Sequence, residues 1–427
     1  MYQAVVARLR NVRKHPDADR LQLATVAGNQ IVVGLDAKEN DLGVFFDADG
    51  QLSQEYCTAN DLVGYKDPET GERKGGFFDS KRRVRAQKFR GEVSDGYWAP
   101  LSTFEFTGTV TNLEEGYTFT ELNGVAICNK YVTEKTLRSG EANKNKVVKK
   151  GNPLFVKHFD TKQFRFEIDK IPTGSLINIT LKMHGTSQRS ANLPEEMELP
   201  AWKRIVNNLL KRNHFLPDKE YKVLNGTRNV NLGVTSGDGF YENDPFRTKA
   251  LKMIQDSIRK NEIWFYELVG YTESGAPIMG SVGTEKLNDK GFTKTYGDTM
   301  TYSYNCPVGT FGLYVYRIAT INPDGELYEL PWSQIKRKCN QAGVNHVPEM
   351  CEQFIFDGNH DNLDTLVNSM SDGVDPIDNR HVREGVVVRV DKPDGTMEFL
   401  KNKGFSFKVL EGIAKLDDNY VDTEESA

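Results

Sequence analysis

Cysteine is scarce in this chain. The five present, Cys57, Cys128, Cys306, Cys339 and Cys351, are odd in number, widely spaced and form no C-x-x-C pair. That excludes a disulfide framework and points to reduced thiols in the cytosol. Histidine is also sparse, with seven residues and no zinc-ligand spacing. No apolar run approaches the roughly 20 residues that span a bilayer, so no membrane partner is expected. The opening Met1-Tyr2-Gln3-Ala4-Val5-Val6-Ala7-Arg8 lacks the charged-then-apolar layout of a secretory signal. A cytoplasmic location is expected. No internal repeat is visible, and no low-complexity segment beyond an acidic tail from Asp417 to Glu425. Excess positive charge is missing too: 55 Lys and Arg against 60 Asp and Glu leave a net charge of −5. This balance argues against a protein that coats nucleic acid nonspecifically.

What the chain has instead is local charge. Lys81-Arg82-Arg83-Val84-Arg85-Ala86-Gln87-Lys88-Phe89-Arg90 carries six cations in ten residues. Lys144, Lys146, Lys149 and Lys150 form a second cluster. Phosphate affinity depends on such patches rather than on the sum of charges. The 427 residues, 38% hydrophobic and 27% charged, fit a soluble globular protein. That length allows two or three domains, each able to bury a core, and a monomer is expected.

Residues 1–125 read as short strands at close spacing. Val5 to Leu9, Leu21 to Val26, Gln30 to Leu35 and Gly43 to Phe46 are β-rich runs broken by turn residues. Such spacing predicts a small barrel or sandwich. Residues 126–152 are polar and read as a linker. From residue 153 to 427 the pattern is mixed α and β. Leu176 to Leu181, Ile263 to Val269, Phe311 to Ile318, Val386 to Val390 and Glu398 to Lys401 read as strands. Helices are expected from Pro200, after Asp244-Pro245, after Pro331 and around Leu363 to Met370. The first of these has Trp202, Ile205, Val206, Leu209 and Leu210 on one face. The fold class is thus α+β, with antiparallel sheets and flanking helices behind an N-terminal β-barrel.

Several polar residues interrupt these apolar runs. Lys182, in Leu181-Lys182-Met183-His184-Gly185-Thr186-Ser187, ends a strand; alone it reads as a surface lysine at a strand-to-loop turn. Glu267 lies inside Trp264-Phe265-Tyr266-Glu267-Leu268-Val269-Gly270, where an unpaired carboxylate is costly, so it must meet a donor or face a cleft. Glu384 precedes Gly385-Val386-Val387-Val388, and Lys401 and Lys403 alternate around Asn402, so both project to one face. In Leu313-Tyr314-Val315-Tyr316-Arg317-Ile318 alternation puts Tyr314, Tyr316 and Ile318 together, and an ordinary core tyrosine is the plain alternative for Tyr316. Thr227-Arg228-Asn229 alone reads as a turn.

Taken in order, these motifs resemble those of the covalent nucleotidyltransferases, and of RNA ligases most closely. The stretch from His15 to Leu23 resembles the opening of tRNA-binding-type OB folds. Arg83 to Gly96 resembles the OB module of Deinococcus-type nick-sealing RNA ligases, which carry that domain at the N-terminus. DNA ligases and capping enzymes generally carry it after the catalytic domain. The resemblance weakens over residues 126–152, 190–220 and 285–305.

The resemblance implies an ATP-dependent RNA ligase that joins 3′-hydroxyl and 5′-phosphate ends at nicks, with RNA or an RNA/DNA nicked duplex as partner. Lys182 is then the nucleophile that carries AMP. Glu384 is the ligand of Mg²⁺ or Mn²⁺, and Lys401 and Lys403 neutralise phosphate. Glu267 meets the ribose hydroxyls, Tyr316 stacks on adenine, and Gly185 gives the backbone room beneath the nucleotide. Arg228 contacts phosphate of the nucleic acid, which its planar fork suits. Arg82, Arg83 and Arg85 form a basic OB strand on the RNA backbone. Lys408 extends the Lys401–Lys403 strand, and the nucleotide pocket lies wholly within the catalytic domain.

One residue departs from the family's usual Lys-x-Asp-Gly: His184 stands at the aspartate position, as in the Deinococcus-type group, and its role stays open between packing and support of the site. A GTP-using capping-type guanylyltransferase and a non-catalytic RNA-binding homologue remain alternatives. Labelled ATP against GTP separates the first, and the absence of any covalent adduct marks the second.

Overall fold

The computed structural model describes residues 2–110, 112–134, 136–137, 151–159, 161–197, 202, 219–232, 245–287 and 289–414. The Lys144–Lys150 cluster and the acidic tail lie outside these residues. So does the helix expected from Pro200, apart from Trp202.

Two mainly antiparallel sheets build the C-terminal part. The first has five strands in the order Lys162–Gln163, Met397–Lys403, Gly385–Asp391, Leu176–Lys182 and Phe354–Ile355. The second runs Lys219–Thr227, Thr186–Glu196, Glu262–Gly270, Phe311–Ile321 and Leu327–Glu329, with Asn345–His346 added in parallel beside Phe311–Ile321. Their inner faces are apolar. Ile177, Ile179, Val386, Val388, Val390 and Leu400 pack in one core. Trp264, Tyr266, Leu268, Leu313 and Val315 pack in another. The chain passes from the first sheet to the second through Met183-His184-Gly185, so the lysine motif is the crossover itself.

Helix His360–Ser371 covers the first sheet. Asn359 caps it by accepting from the Asn362 N–H. Leu363 and Val367, four apart, are buried against the sheet, each stabilising by roughly 1.5–3 kcal/mol. Helix Trp332–Ala342 follows Pro331 and ends at Gly343, whose φ of 67° is the left-handed conformation that stops a helix. Helix Phe246–Ile254 buries Phe246, Ala250 and Ile254. These elements match the sequence reading to within a few residues. Lys408 does not: it lies in helix Phe405–Ala414, not in an extension of the strand. Gly404 ends the strand, and its N–H donates back to the Glu384 carbonyl.

The N-terminal residues form separate small sheets. Tyr97–Pro100, Leu42–Phe46, Ala4–Arg8 and Thr118–Phe119 make a four-stranded sheet; Arg10–Lys14, Gln22–Val26 and Asn29–Val33 make a three-stranded one. Among the described residues no hydrogen-bonded ladder closes into a barrel. Where Asn29–Val33 meets the hairpin strand Glu92–Asp95, side chains bridge instead of backbone pairs. Ser94 Oγ accepts from the Val32 N–H, and Gln30 donates to the Val93 carbonyl. The module also runs past residue 125: Ile127, Cys128 and Tyr131 are buried, and Cys128–Lys130 pairs with Gly50–Leu52. Among the described residues no helix is long and apolar enough to cross a membrane.

Polar contacts join the N-terminal module to the rest. Lys408 pairs with Asp95, and both side chains are about nine-tenths buried. Arg165 reaches Asn29 and Asp47, and Arg83 donates to the Gly412 carbonyl at 3.2 Å. Removing one partner of a buried ion pair leaves an uncompensated charge and costs about 3 kcal/mol or more. We expect Lys408→Met and Asp95→Asn each to lower the thermal unfolding midpoint, and the double variant to lose less than the sum. Additive losses would mean the two side chains do not interact.

Candidate active site

Strand register assembles the site. Lys182 ends its strand directly opposite Gly385, and Gly385 lies opposite Lys403 on its other side. Thr180, Val387 and Lys401 form the row two residues along. Lys401 and Lys403 face one cavity, as alternation requires. Asn402 takes the other face and donates to Asn368 and Ser371.

Glu384 is fully buried beside this row. Lys182 Nζ donates to its carboxylate at 2.6 Å, and Lys403 Nζ lies 3.6 Å from the same oxygen. His184 Nδ1 stands 3.6 Å from the other oxygen. Lys403 also donates to Glu411 at 3.0 Å. Gly385, at φ +152°, has no room for a side chain: a Cβ would strike the Asn402 carbonyl and lie 2.7 Å from Lys403 Cα.

A cavity of about 990 Å³ opens next to these groups. Lys182, Glu267, Tyr316, Arg228, Lys401 and Lys403 all line it. Glu267 is buried in the middle of its strand, with Ser187 and Tyr314 as register partners. Tyr316 sits at a bulge, where pairing with Glu262–Gly270 slips by one residue; a bulge re-aims the side chain it carries. Its hydroxyl bonds Ser187 Oγ at 2.9 Å. Burial and the Glu267 carboxylate push its phenol pKa up, so it stays neutral. Tyr314, expected on the same face, lines a different pocket.

Arg228 follows a strand held by a cation that the sequence reading missed. Buried Arg189 donates to the Thr227 and Arg228 carbonyls and stacks over Phe155 at 4.5 Å. Thr227 Oγ1 accepts from the Asn229 and Val230 N–H groups, which shapes the turn that presents Arg228.

Gly185 has no room for a side chain. The neighbouring strand crowds this position: a Cβ would strike the Leu268 carbonyl and lie 2.8 Å from Val269 Cγ1.

Arg82, Arg83 and Arg85 do not form one solvent-facing row. Arg82 donates to the Leu52 carbonyl and to Gln54. Arg83 is buried over the Tyr131 ring at 4.0 Å. Arg85 lies 3.8 Å from Asp79 and lines the large cavity. The cavity is therefore not confined to the C-terminal part; Asp47, Arg83 and Arg85 contribute a wall from the N-terminal module.

His184 packs among aromatic rings as well as standing beside Glu384. Its ring lies edge-on to Tyr302 and Phe407, with centroids at 4.5 and 4.8 Å. Its backbone N–H donates to Tyr304 Oη at 2.7 Å. Tyr302 and Tyr304 come from 285–305, a segment where the family pattern had weakened.

Among the described residues no three acidic, histidine or cysteine side chains gather as a metal cage. One carboxylate, Glu384, suits a hard divalent ion that keeps its waters and takes its other ligands from phosphate oxygen.

No protein-family model matches this chain, and no curated protein matches it. Solved structures of Naegleria gruberi RNA ligase do. A variant with ATP and Mn superposes with a TM-score of 0.57 at 17% identity, over 97% of this chain and 99% of that one. The chain has the fold of an RNA ligase. A second variant of that ligase, with AMP and Mn, gives a TM-score of 0.58 at 16% identity over 96% and 98% of the two chains. The ligase with PPi gives 0.57 at 17% identity over 95% and 97%. The similarity runs through both the N-terminal module and the two sheets.

The crowding at Gly185 is testable. We expect Gly185→Ala to destabilise by about 1–3 kcal/mol through overpacking. Gly280→Ala, where a Cβ meets nothing within 4 Å, should stay within about 0.5 kcal/mol of the parent. Chemical denaturation of both variants checks this; equal stabilities would refute the close approach.

Proposed function

We propose that this chain is an ATP-dependent RNA ligase that joins 3′-hydroxyl and 5′-phosphate ends at nicks, with the N-terminal module as an OB-type RNA-binding module. The observation that carries the reading is Lys182 at the wall of a cation-lined cavity, paired with buried Glu384 and aligned in register with Lys403. The ligands of the Naegleria RNA ligase structures, ATP, AMP, Mn and PPi, support the nucleotide and metal assignment.

In this reading the Lys182 amine attacks the α-phosphorus of ATP. An N–P bond forms, the P–O bond to pyrophosphate breaks, and the amine proton leaves to solvent. A 5′-phosphate then attacks the Lys182 adduct, freeing the amine and forming a pyrophosphate-linked adenylylated end. Attack by a 3′-hydroxyl forms the phosphodiester and expels AMP. Glu384 favours the ammonium form of Lys182 while the two are paired. Once that carboxylate is engaged elsewhere, Lys403, Lys401 and Arg228 disfavour the ammonium and leave a nucleophile. Glu384 would hold a Mg²⁺ or Mn²⁺, which would add neutralisation of the developing charge. Lys401 and Lys403 stabilise charge on the phosphates. Glu267 accepts from the ribose hydroxyls, Tyr316 packs on adenine, and Arg228 holds a phosphate of the nucleic acid. Arg82 and Arg85 are the N-terminal cations placed on RNA; Arg83 instead anchors the module.

Mass spectrometry after exposure to ATP and Mg²⁺ should find an AMP increment on Lys182. Lys182→Ala should form no adduct yet still seal a pre-adenylylated strand. An adduct on the Ala variant, or labelling by GTP instead of ATP, would sink the assignment.

Single substitutions should also divide the steps. Glu384→Ala and Lys403→Ala should slow adduct formation by about 100-fold or more, the scale of losing one electrostatic stabiliser. Arg228→Ala should keep adduct formation and lose sealing. Loss of the first step in Arg228→Ala would place that arginine on the nucleotide instead.

A further inference from the structure

His158 stands in the wall of the large cavity, in the segment before the first strand of the C-terminal sheets. Its ring is edge-on to Tyr316, with centroids 5.3 Å apart at 73°, and it also packs against Phe265.

Behind it lies Arg317, whose side chain is 1% exposed. Glu329 accepts from Arg317 Nε at 2.9 and 3.0 Å. The rings of Phe159 and Phe265 hold the guanidinium, each centroid 4.3 Å from Cζ. Arg317 is therefore fixed in place, and its NH1 lies 3.1 Å from His158 Nδ1. A guanidinium can only donate, so Nδ1 must accept, and the imidazole proton is on Nε2.

We propose that His158 is a ligand-contacting residue of this cavity: a neutral imidazole, fixed as the Nε2–H tautomer by Arg317, that donates to a phosphate oxygen of the bound nucleotide. The identity of that ligand rests on the nucleotide reading above. Burial first, and then Arg317, Arg228, Lys182 and Lys401, hold the His158 pKa well below the ordinary imidazole range. The last three of these cations line the same cavity, which makes a phosphate the natural acceptor for the donor among them. A neutral donor adds a hydrogen bond without a further charge. Its contribution stays constant across the pH range in which an ordinary histidine switches.

The test uses the full chain with nitrogen-labelled histidine, with His158→Phe to assign the resonance. From about pH 5.5 to about pH 8, where an ordinary imidazole titrates, His158 should hold the Nε2–H tautomer without titrating. Adding inorganic pyrophosphate, or α,β-methylene-ATP with Mg²⁺, should shift its Nε2 resonance. By direct titration, His158→Phe, which keeps the ring, should bind the ATP analogue about tenfold more weakly, the scale of one hydrogen bond to a charged group. His158→Gln should recover most of that loss, because its amide can accept from Arg317 and donate to the cavity. An Nδ1–H tautomer, titration near neutrality, wild-type affinity in the Phe variant, or Gln binding no better than Phe would each overturn the proposal. Failure of Lys182 to take up AMP would instead sink the ligase reading, and the tautomer and binding measurements would still stand on their own.

Discussion

Lys182 and Glu384 form an ion pair at the seam of two sheets, and the local architecture is arranged around it. A buried carboxylate is tolerated only with partners. Each partner of Glu384 comes from a different element. Lys182 arrives at the end of one strand, Lys403 from the strand across Gly385, and His184 from the crossover into the second sheet. Register fixes the spacing, because Lys182, Gly385 and Lys403 are direct neighbours. Two glycines make the approach possible. At Gly385 a side chain would strike the strand that carries Lys403, and at Gly185 the strand that carries Glu267. Backbone proximity alone requires small residues at both positions.

The N-terminal module is coupled to the same group of charges. Lys408 pairs with Asp95 of that module, and Glu411 accepts from Lys403. Both lie on helix Phe405–Ala414, three residues apart, a spacing that makes helical side chains neighbours. One short rigid element therefore links the docking contact to a lysine of the site. The module also contributes a wall of the cavity through Asp47, Arg83 and Arg85. Its position bears on whatever the cavity holds, which a division into one RNA-binding and one nucleotide-binding domain does not capture.

Much of this was legible in the sequence for a physical reason. Leu176–Lys182, Glu262–Gly270 and Gly385–Asp391 are apolar runs, and the few polar residues inside or beside such runs had to face a partner or a cleft. Glu267 stood out on that ground, whereas Lys182, Glu384, Lys401 and Lys403 stood out through the resemblance to RNA-ligase motifs; the structure brings all five together. Other features depend on contacts between distant segments. The bulge at Tyr316 is a property of pairing, which alternation along one strand does not show. The burial of Arg83 requires Tyr131 and Gly412, neither of which is marked by local pattern. Lys408 reads as an extension of the Lys401–Lys403 strand, yet Gly404 ends that strand and a helix begins. Arg189 and His158 carried no signal at all: one lies in a polar strand, the other in a stretch with no periodicity.

The packing around His184 bears on why a histidine stands where related motifs have aspartate. Its ring fills a space between Tyr302 and Phe407, and His381 lies beyond Tyr302 at 5.0 Å. Tyr304, in the left-handed region at φ 48°, is placed to accept from the His184 backbone. Asp378 steadies that loop, accepting from Ser303 Oγ at 2.7 Å and from the Asn305 N–H at 2.9 Å. An aspartate at 184 would leave the aromatic cage unfilled. It would also set a second carboxylate against Glu384 in a site largely walled from water, where like charges force one of the two to take up a proton. An imidazole beside Glu384 avoids both costs, because it fills the cage and adds no negative charge. The histidine and the surrounding rings are therefore parts of one packing solution, in which Tyr302 and Phe407 supply the cage around the crossover.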